Sequence, residues 1–171
     1  AAASVFAAVM IFTHTFAFGL LARLDLSGRA MAAKTRRFLR LPVHSCQTRD
    51  IYKVDVALTP KELRAVRKAF TDPVTSRSAI ARLPQPAFDW MVEVGFKPGV
   101  TDNVGTTAKA VVQDVLERPL PSLETVYTSI QYFFRGPALS REDVWRIGRD
   151  LLANPLIHTI QLFSAGEWAS A

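Results

Sequence analysis

The sequence has little of the residue chemistry that catalysis and metal binding usually require. Its 171 residues include one cysteine, Cys46, and three histidines, His14, His44 and His158. A single cysteine excludes an internal disulfide and a multi-cysteine metal site, and it suits a reducing, cytoplasmic compartment. The histidines are far apart and have no spacing such as His-x-x-x-His, so the pattern predicts no metal site.

Two common catalytic patterns are also missing. No Gly-x-x-x-x-Gly-Lys-Ser/Thr loop is present, so the turn at residues 95–99 is not expected to cradle phosphates. A cysteine nucleophile activated for hydrolysis needs a histidine and a carboxylate beside it. His44 lies two residues before Cys46, and in a strand this spacing does not form a triad. We expect Cys46 to be buried or chemically neutral, and we expect no catalytic residue and no bound cofactor in this chain.

Apolar sequence and positive charge are abundant. The 49% hydrophobic content predicts a packed core. The net charge of +6 permits acidic or nucleic-acid partners, but its one dense cluster has the spacing of a solvated helical face. The cluster comprises Lys34, Arg36, Arg37 and Arg40. The apolar first 22 residues lack a positively charged start and have a polar centre, which favours an Ala-rich lead-in and a buried strand near residues 12–21 over a signal peptide or membrane span.

The sequence contains an internal repeat of roughly 75–80 residues. Residues 92–105 (VEVGFKPGVTDNVG) combine a strand-like run, a Lys-Pro-Gly turn and an aspartate three residues before a glycine. A weaker copy lies upstream, and in both copies the aspartate is placed to accept the amide of the third helical residue as an N-cap. The matched positions are Asp102 and Gly105 in the second copy and Asp25 and Gly28 in the first.

Later landmarks repeat as well. Thr59, with a proline after it and Glu62 at the third helical position, predicts a capping box, and Ser140 with Asp143 repeats it. The preceding strands show period-two patterning. The repeat matches Tyr52 with Tyr127, and we expect both tyrosines in the core or at an interface between the copies. The apolar stripe of the first helix is expected at Met31, Thr35, Phe38 and Leu39.

Each copy therefore reads β-α-β-α-β, an α+β unit with an antiparallel sheet covered by helices on one face. So small a unit buries too little surface alone, and something must cover its second face. We expect the two copies to pack as an intramolecular pseudo-dimer. The predicted division is residues 1–81 for the first unit with its lead-in, residues 82–88 for a proline-rich linker, and residues 89–171 for the second unit.

Three strings carry a resemblance to a known family: residues 92–105, residues 126–136 (VYTSIQYFFRG) and residues 151–163 (LLANPLIHTIQLF). They resemble the PurS family, the small accessory subunit of phosphoribosylformylglycinamidine synthase in purine biosynthesis. The resemblance covers residues 89–164, and the first copy matches more loosely because Leu-Leu-Ala replaces Lys-Pro-Gly. The whole is similar to the tandem PurS-like region of fused or long-form synthases, and it fits a stand-alone subunit or the leading part of a longer enzyme.

The resemblance implies a non-catalytic role. The parent enzyme converts formylglycinamide ribonucleotide to its amidine with ATP and glutamine-derived ammonia. PurL binds substrate, ATP and Mg, PurQ hydrolyses glutamine, and PurS bridges them and assists ammonia transfer. The implied partners are PurL and PurQ, with further self-association left open and with no nucleic acid or membrane. The candidate partner-contact or motif residues are Lys97, Gly99, Asp102, Gly105, Tyr127, Asp25, Gly28 and Tyr52.

Two other classes of function stay open. An RNA-binding α+β module would use the positive charge and the strand aromatics, although no RNP1 motif is present. A ligand-sensing regulatory domain is the other class. Lys97 itself is typical of a solvated turn lysine, with a phosphate or a partner carboxylate as the functional alternative. The strand aromatics in question are Tyr127, Tyr132, Phe133 and Phe134.

Overall fold

A computed structural model describes residues 8–14, 25–71, 76–80 and 86–170, which form a mixed α+β structure. The strands are β1 (Ala8–His14), β2 (Ser45–Asp55), β3 (Ser76–Ile80), β4 (Trp90–Phe96), β5 (Thr125–Arg135) and β6 (His158–Ser164). The helices are α1 (Leu26–Leu39), α2 (Pro60–Phe70), α3 (Asn103–Leu116), α4 (Arg141–Ile147), which continues into a π-helical turn at Gly148–Leu152, and α5 (Ala165–Ser170).

All six strands join in one antiparallel sheet, in the order β3-β1-β2-β5-β4-β6. At its centre, β2 and β5 pair along their full length, from Ser45 opposite Arg135 to Asp55 opposite Thr125. Side chains alternate between the two faces of a strand. In β2 and β5 the even-numbered residues face α1 to α4, on what we call the helix face, and the odd-numbered residues lie on the second face.

The core lies between the helix face and α1 to α4, and it forms two clusters. Each cluster draws residues from both copies of the repeat, so neither copy buries its own helices alone. The first cluster includes Val54, Leu58 and Val66 together with Ala108, Val112 and Val126. The second includes Ala32, Val43 and Cys46 together with Val92, Phe134 and Ile147.

Part of the second face is covered by short segments that follow or precede the strands. Phe88 packs edge-on against Phe133, with ring centroids 5.2 Å apart, and Trp168 of α5 packs against Phe163 at 5.5 Å. Met91 and Phe133 are consequently buried, whereas Tyr127 is 54% exposed. The second face is therefore closed over β4 and open near the end of β5 where Tyr127 lies.

The local predictions are largely confirmed. Both aspartate N-caps and both capping boxes are present, and the basic cluster on α1 is exposed. Phe38 is wrongly predicted as part of the buried stripe of α1. It is 62% exposed, with the Arg37 guanidinium 5.4 Å from its ring, whereas Thr35 is fully buried and donates to the Met31 carbonyl.

The element boundaries differ from the predictions in several places. The first strand lies at Ala8–His14, earlier than expected, and residues 15–24 lie outside the described residues. The lead-in at residues 1–7 and most of the proline-rich linker are also outside them. Within the described part of the chain, no helix is long and apolar enough to cross a membrane.

Candidate functional site

Asp102 links the second predicted turn to the central strand of the sheet. Its Oδ1 accepts the Gly105 amide at 2.7 Å, which caps α3. Its Oδ2 accepts both the amide and the hydroxyl of Thr128, at 2.7 and 2.8 Å. The pairing of β4 with β5 ends one residue away, at Ser129. Asp102 therefore accepts from the Thr128 amide, the first amide on this side of β5 that lies beyond the end of β4.

Asp25 repeats this arrangement in the first copy. Its Oδ1 accepts the Gly28 amide at 2.7 Å and its Oδ2 accepts the Thr48 amide at 2.5 Å. The Thr48 hydroxyl lies 3.2 and 3.3 Å from the two carboxylate oxygens. The threonines were not singled out from the sequence, because the aspartate and its threonine are more than twenty residues apart.

The two glycines of the turns are required by close packing. A Cβ atom on Gly105 would lie 2.3 Å from the Val126 carbonyl oxygen, and one on Gly28 would lie 2.2 Å from the Cys46 carbonyl oxygen. Real Cβ atoms do not approach oxygen this closely, so any side chain would push the helix off the sheet. Asp25, Gly28, Asp102 and Gly105 thus have structural roles in holding α1 and α3 against the sheet.

Lys97 and Gly99 form an exposed turn beside the last loop of the chain. The Lys97 ammonium donates to the Pro155 carbonyl at 2.6 Å, and the Lys97 amide donates to the Ile157 carbonyl at 2.9 Å. Gly99 has φ +81°, a left-handed conformation that glycine adopts without strain, and a Cβ there would meet open space. These contacts fix the conformation of the turn, and residues 97–99 remain exposed on its outer surface.

Tyr52 and Tyr127 do not occupy equivalent positions, and the predicted match is wrong. Tyr52 lies on the helix face, half-buried, with its ring stacked 5.2 Å from Phe70. Tyr127 lies on the exposed part of the second face. Because Thr48 and Thr128 make the same contacts, the residue equivalent to Tyr52 is Tyr132. The true equivalent of Tyr52 therefore lies five residues after Tyr127.

The two equivalent tyrosines flank a groove across the middle of the helix face. The groove holds a cavity of about 210 Å³ whose lining includes Tyr52, Ile130, Tyr132 and His158. Burial raises the pKa of Tyr52, and the Asp50 and Asp102 carboxylates raise it further. Burial likewise raises the pKa of Tyr132, so both phenols stay protonated at neutral pH.

His158 lies at one side of the groove, beside the last loop of the chain. Its Nδ1 accepts the Asn154 amide at 3.1 Å, and its ring packs edge-on against Phe96 at 5.0 Å. A neutral imidazole that accepts at Nδ1 carries its proton at Nε2. The bond to Asn154 therefore leaves Nε2 as the ring nitrogen that can donate.

Cys46 is held away from solvent. It is 4% exposed in the core under α1 and α4, and His44 is exposed. Burial raises the pKa of the Cys46 thiol, and the Asp25 carboxylate raises it further, so the thiolate is suppressed. Among the described residues, no group of histidine, cysteine, aspartate and glutamate is arranged to hold a metal ion.

A polar cluster on the second face was also not predicted from the sequence. Glu93 accepts from the Ser129 hydroxyl at 2.6 Å and from the Gln131 amide at 2.8 Å. Arg49 is 6% exposed, and its guanidinium lies 4.8 Å above the Phe133 ring. Burial lowers the pKa of Arg49. Period-two patterning placed these residues on one face, but only the pairing of β2, β4 and β5 brings them together.

Comparison with protein-family models and with curated proteins gives no match for this sequence.

Proposed function

We propose that this chain is a tandem PurS-like pseudo-dimer that serves as the non-catalytic component of phosphoribosylformylglycinamidine synthase. In this role it bridges the PurL synthetase and the PurQ glutaminase and assists ammonia transfer between them. ATP and Mg belong to PurL. The single observation that carries the pseudo-dimer is that the sheet has the same strand pairing on both sides of its centre.

The strand registers support the equivalence of the two halves. Equivalent residues of β1 and β4 are 82 apart in both comparisons, those of β3 and β6 are also 82 apart, and those of β2 and β5 are 80 apart. The central β2–β5 pairing is symmetric about the pair Asp50 and Ile130. The equivalent pairs are Ala8–Val54 with Trp90–Phe134, and Met10–Ile80 with Val92–Leu162.

The composition of the two core clusters also supports the equivalence of the two halves. Each combines the second helix of one half with the first helix of the other. Val66 and Ala108 meet in one cluster, and Met31 and Ile147 take part in the other. A dimer of separate subunits would exchange helices in this pattern, and the fused chain keeps it within one molecule.

We infer that residues 97–99 contact a partner protein, since the second turn keeps the full Lys-Pro-Gly sequence and is exposed. Lys109 provides a matched control, because its ammonium also donates to a proline carbonyl, at 3.3 Å from Pro121. Lys97→Ala should weaken the complex by about three- to tenfold, as expected for one exposed charge at an interface. Lys109→Ala should leave it unchanged.

The test of the proposed function is reconstitution with purified PurL and PurQ. Adding this chain should produce glutamine-dependent amidine formation and should leave ammonia-dependent formation unchanged, because only ammonia transfer depends on the bridge. Co-elution of the three proteins on a sizing column provides the binding readout. If PurL and PurQ are associated and fully coupled without this chain, the proposal fails.

A ligand-sensing role is a second candidate, and the cavity between Tyr52 and Tyr132 favours it. At about 210 Å³ the cavity is smaller than the pockets of drug-sized ligands, so it suits a small metabolite. Amino acids and nucleotides at millimolar concentration should then raise the melting temperature. An Ile130→Trp variant, which fills the groove, should abolish the shift. RNA binding has less support, since Phe133 and Phe134, two of its four strand aromatics, are buried.

A further inference from the structure

The free edge of β6 carries backbone groups that point away from the sheet. Among the described residues, β6 is the end strand and pairs only with β4. The Lys97 amide donates to the Ile157 carbonyl at 2.9 Å, and the Ala165 amide donates to the Asp89 carbonyl at 3.0 Å. In an antiparallel ladder the bonded residues alternate. Thr159, Gln161 and Phe163 therefore bond to β4, and the residues between them point outward.

Both ends of this edge are closed by local hydrogen bonds. The His158 amide donates to the Asn154 carbonyl at 2.8 Å, and the Ser164 amide donates to Glu167 Oε2 at 2.7 Å. Between them, the outward amides and carbonyls of Ile160 and Leu162 have no partner among the described residues. The open part of the edge is therefore a short window at residues 159–163, centred on Gln161.

We propose that a second copy of this chain binds here, by antiparallel pairing of β6 with β6 about a twofold axis at Gln161. In this register Ile160 lies opposite Leu162 of the second copy, and each such pair exchanges two backbone hydrogen bonds. Gln161 lies opposite its own equivalent at a non-bonded position. The closed ends of the window remain as they are, and the two sheets become continuous.

On the helix face the strand side chains of the window are apolar, and a twofold axis would bring the same patch of both chains together. Ile160 and Leu162 are half-buried on the helix face, and Trp145 of α4 is 47% exposed. Trp145 and Leu162 line a groove of about 520 Å³ together with Arg141 and Glu142. Leu156, just before the strand, is 80% exposed. Pairing with a second copy would cover these surfaces on both chains. The outward-facing residues, Ile160 and Leu162, lie symmetrically on either side of Gln161, as a twofold axis at that residue needs.

A charge exchange at Gln161 tests the proposal, because twofold pairing brings this residue against itself. The unmodified chain should form a concentration-dependent dimer in analytical ultracentrifugation. Gln161→Lys and Gln161→Glu should each weaken it about tenfold or more, since like charges directly opposite on paired strands repel. An equimolar mixture of the two variants should restore dimers. Gln47→Lys is the matched control and should dimerise normally. Gln47 is also an exposed glutamine on the second face of the sheet, but it lies in β2, away from the β6 edge.

A cross-linking experiment gives an independent readout. Non-bonded antiparallel pairs have Cα atoms about 4.5 Å apart, within the range that a disulfide spans. Gln161→Cys should form a covalent dimer on mild oxidation and Gln47→Cys should not. A monomer at high protein concentration overturns the proposal. A dimer that both Gln161 charge variants leave unchanged also overturns it, because such a dimer would use another surface. Binding of β6 to a strand of another protein in place of self-pairing overturns it as well.

Discussion

Replacing Asp102 with asparagine should destabilise the whole chain, although the two side chains have the same shape. Both carboxylate oxygens accept hydrogen bonds, from Gly105 on one side and Thr128 on the other. An amide has one acceptor oxygen, so its NH₂ group must face a donor. If the oxygen faces Thr128, the N-cap of α3 is lost at a cost of about 1 kcal/mol. If it faces Gly105, the Thr128 amide is left unpaired at a cost of about 1–3 kcal/mol.

Losing the negative charge at the start of α3 adds about 0.3–1 kcal/mol. Asp102→Asn should therefore lower the free energy of unfolding by about 2 kcal/mol, a large part of the 5–15 kcal/mol typical of a domain. Urea unfolding followed by far-ultraviolet circular dichroism measures this loss. Asp25→Asn should cost a similar amount, because its side chain makes equivalent bonds.

Asp114→Asn is the control, since this residue is exposed on the same helix and caps nothing. It should change the unfolding free energy by less than about 0.5 kcal/mol. Both capping variants should unfold in one transition, since each core cluster uses both halves. An Asp102→Asn chain as stable as the unmodified one would refute the assigned role, and two separate transitions would refute the shared core.

Three further predictions concern packing, reactivity and pH. Gly105→Ala should lower the free energy of unfolding in urea by about 1–3 kcal/mol, because its Cβ would collide with a strand carbonyl. Gly166→Ala is the control and should be neutral, because a Cβ there would meet open space. Equal stability of the two variants would contradict the role of Gly105. Cys46 should react with a thiol reagent in the unfolded chain and far more slowly in the native chain, because it is buried; rapid native labelling would contradict this. Ser140→Ala should cost about 1 kcal/mol at pH 7. The Ser140 hydroxyl and amide lower the pKa of Asp143 in the folded state, so the stabilisation from the carboxylate is present above about pH 4 and is lost as the pH falls through the lowered pKa. The difference in unfolding free energy between the two chains should therefore narrow in acid to the part that comes from the bond between the Asp143 amide and the Ser140 hydroxyl, and a constant difference would contradict the role of the carboxylate.

The features that could be predicted from the sequence are local ones. Each cap depends on residues three positions apart, so the capping boxes at Thr59 and Ser140 are visible in the sequence. The alternation of β5 likewise shows in its residue pattern. The repetition of these signals indicates two similar units, because the same caps follow each other in the same order in both halves of the sequence.

Features that depend on pairing between distant segments could not be predicted. Thr48 and Thr128 become recognisable only when each strand runs past its neighbour and a carboxylate satisfies the exposed amide. Tyr52 was aligned with the wrong tyrosine because a period-two pattern carries no register of its own. Phe38 has the helical spacing of a buried residue, but the buried side of α1 runs through Gly28, Ala32 and Thr35 and leaves the Phe38 ring exposed.

The central β2–β5 pairing has a consequence for how the chain folds during synthesis. Ser45 pairs with Arg135, so the middle of the sheet forms only when most of the chain is available. Contacts this distant in sequence slow folding, because a long loop must close before they form. The first half must therefore leave the ribosome with one edge of β2 unpaired and with uncovered helices, and it is exposed to aggregation until β5 arrives.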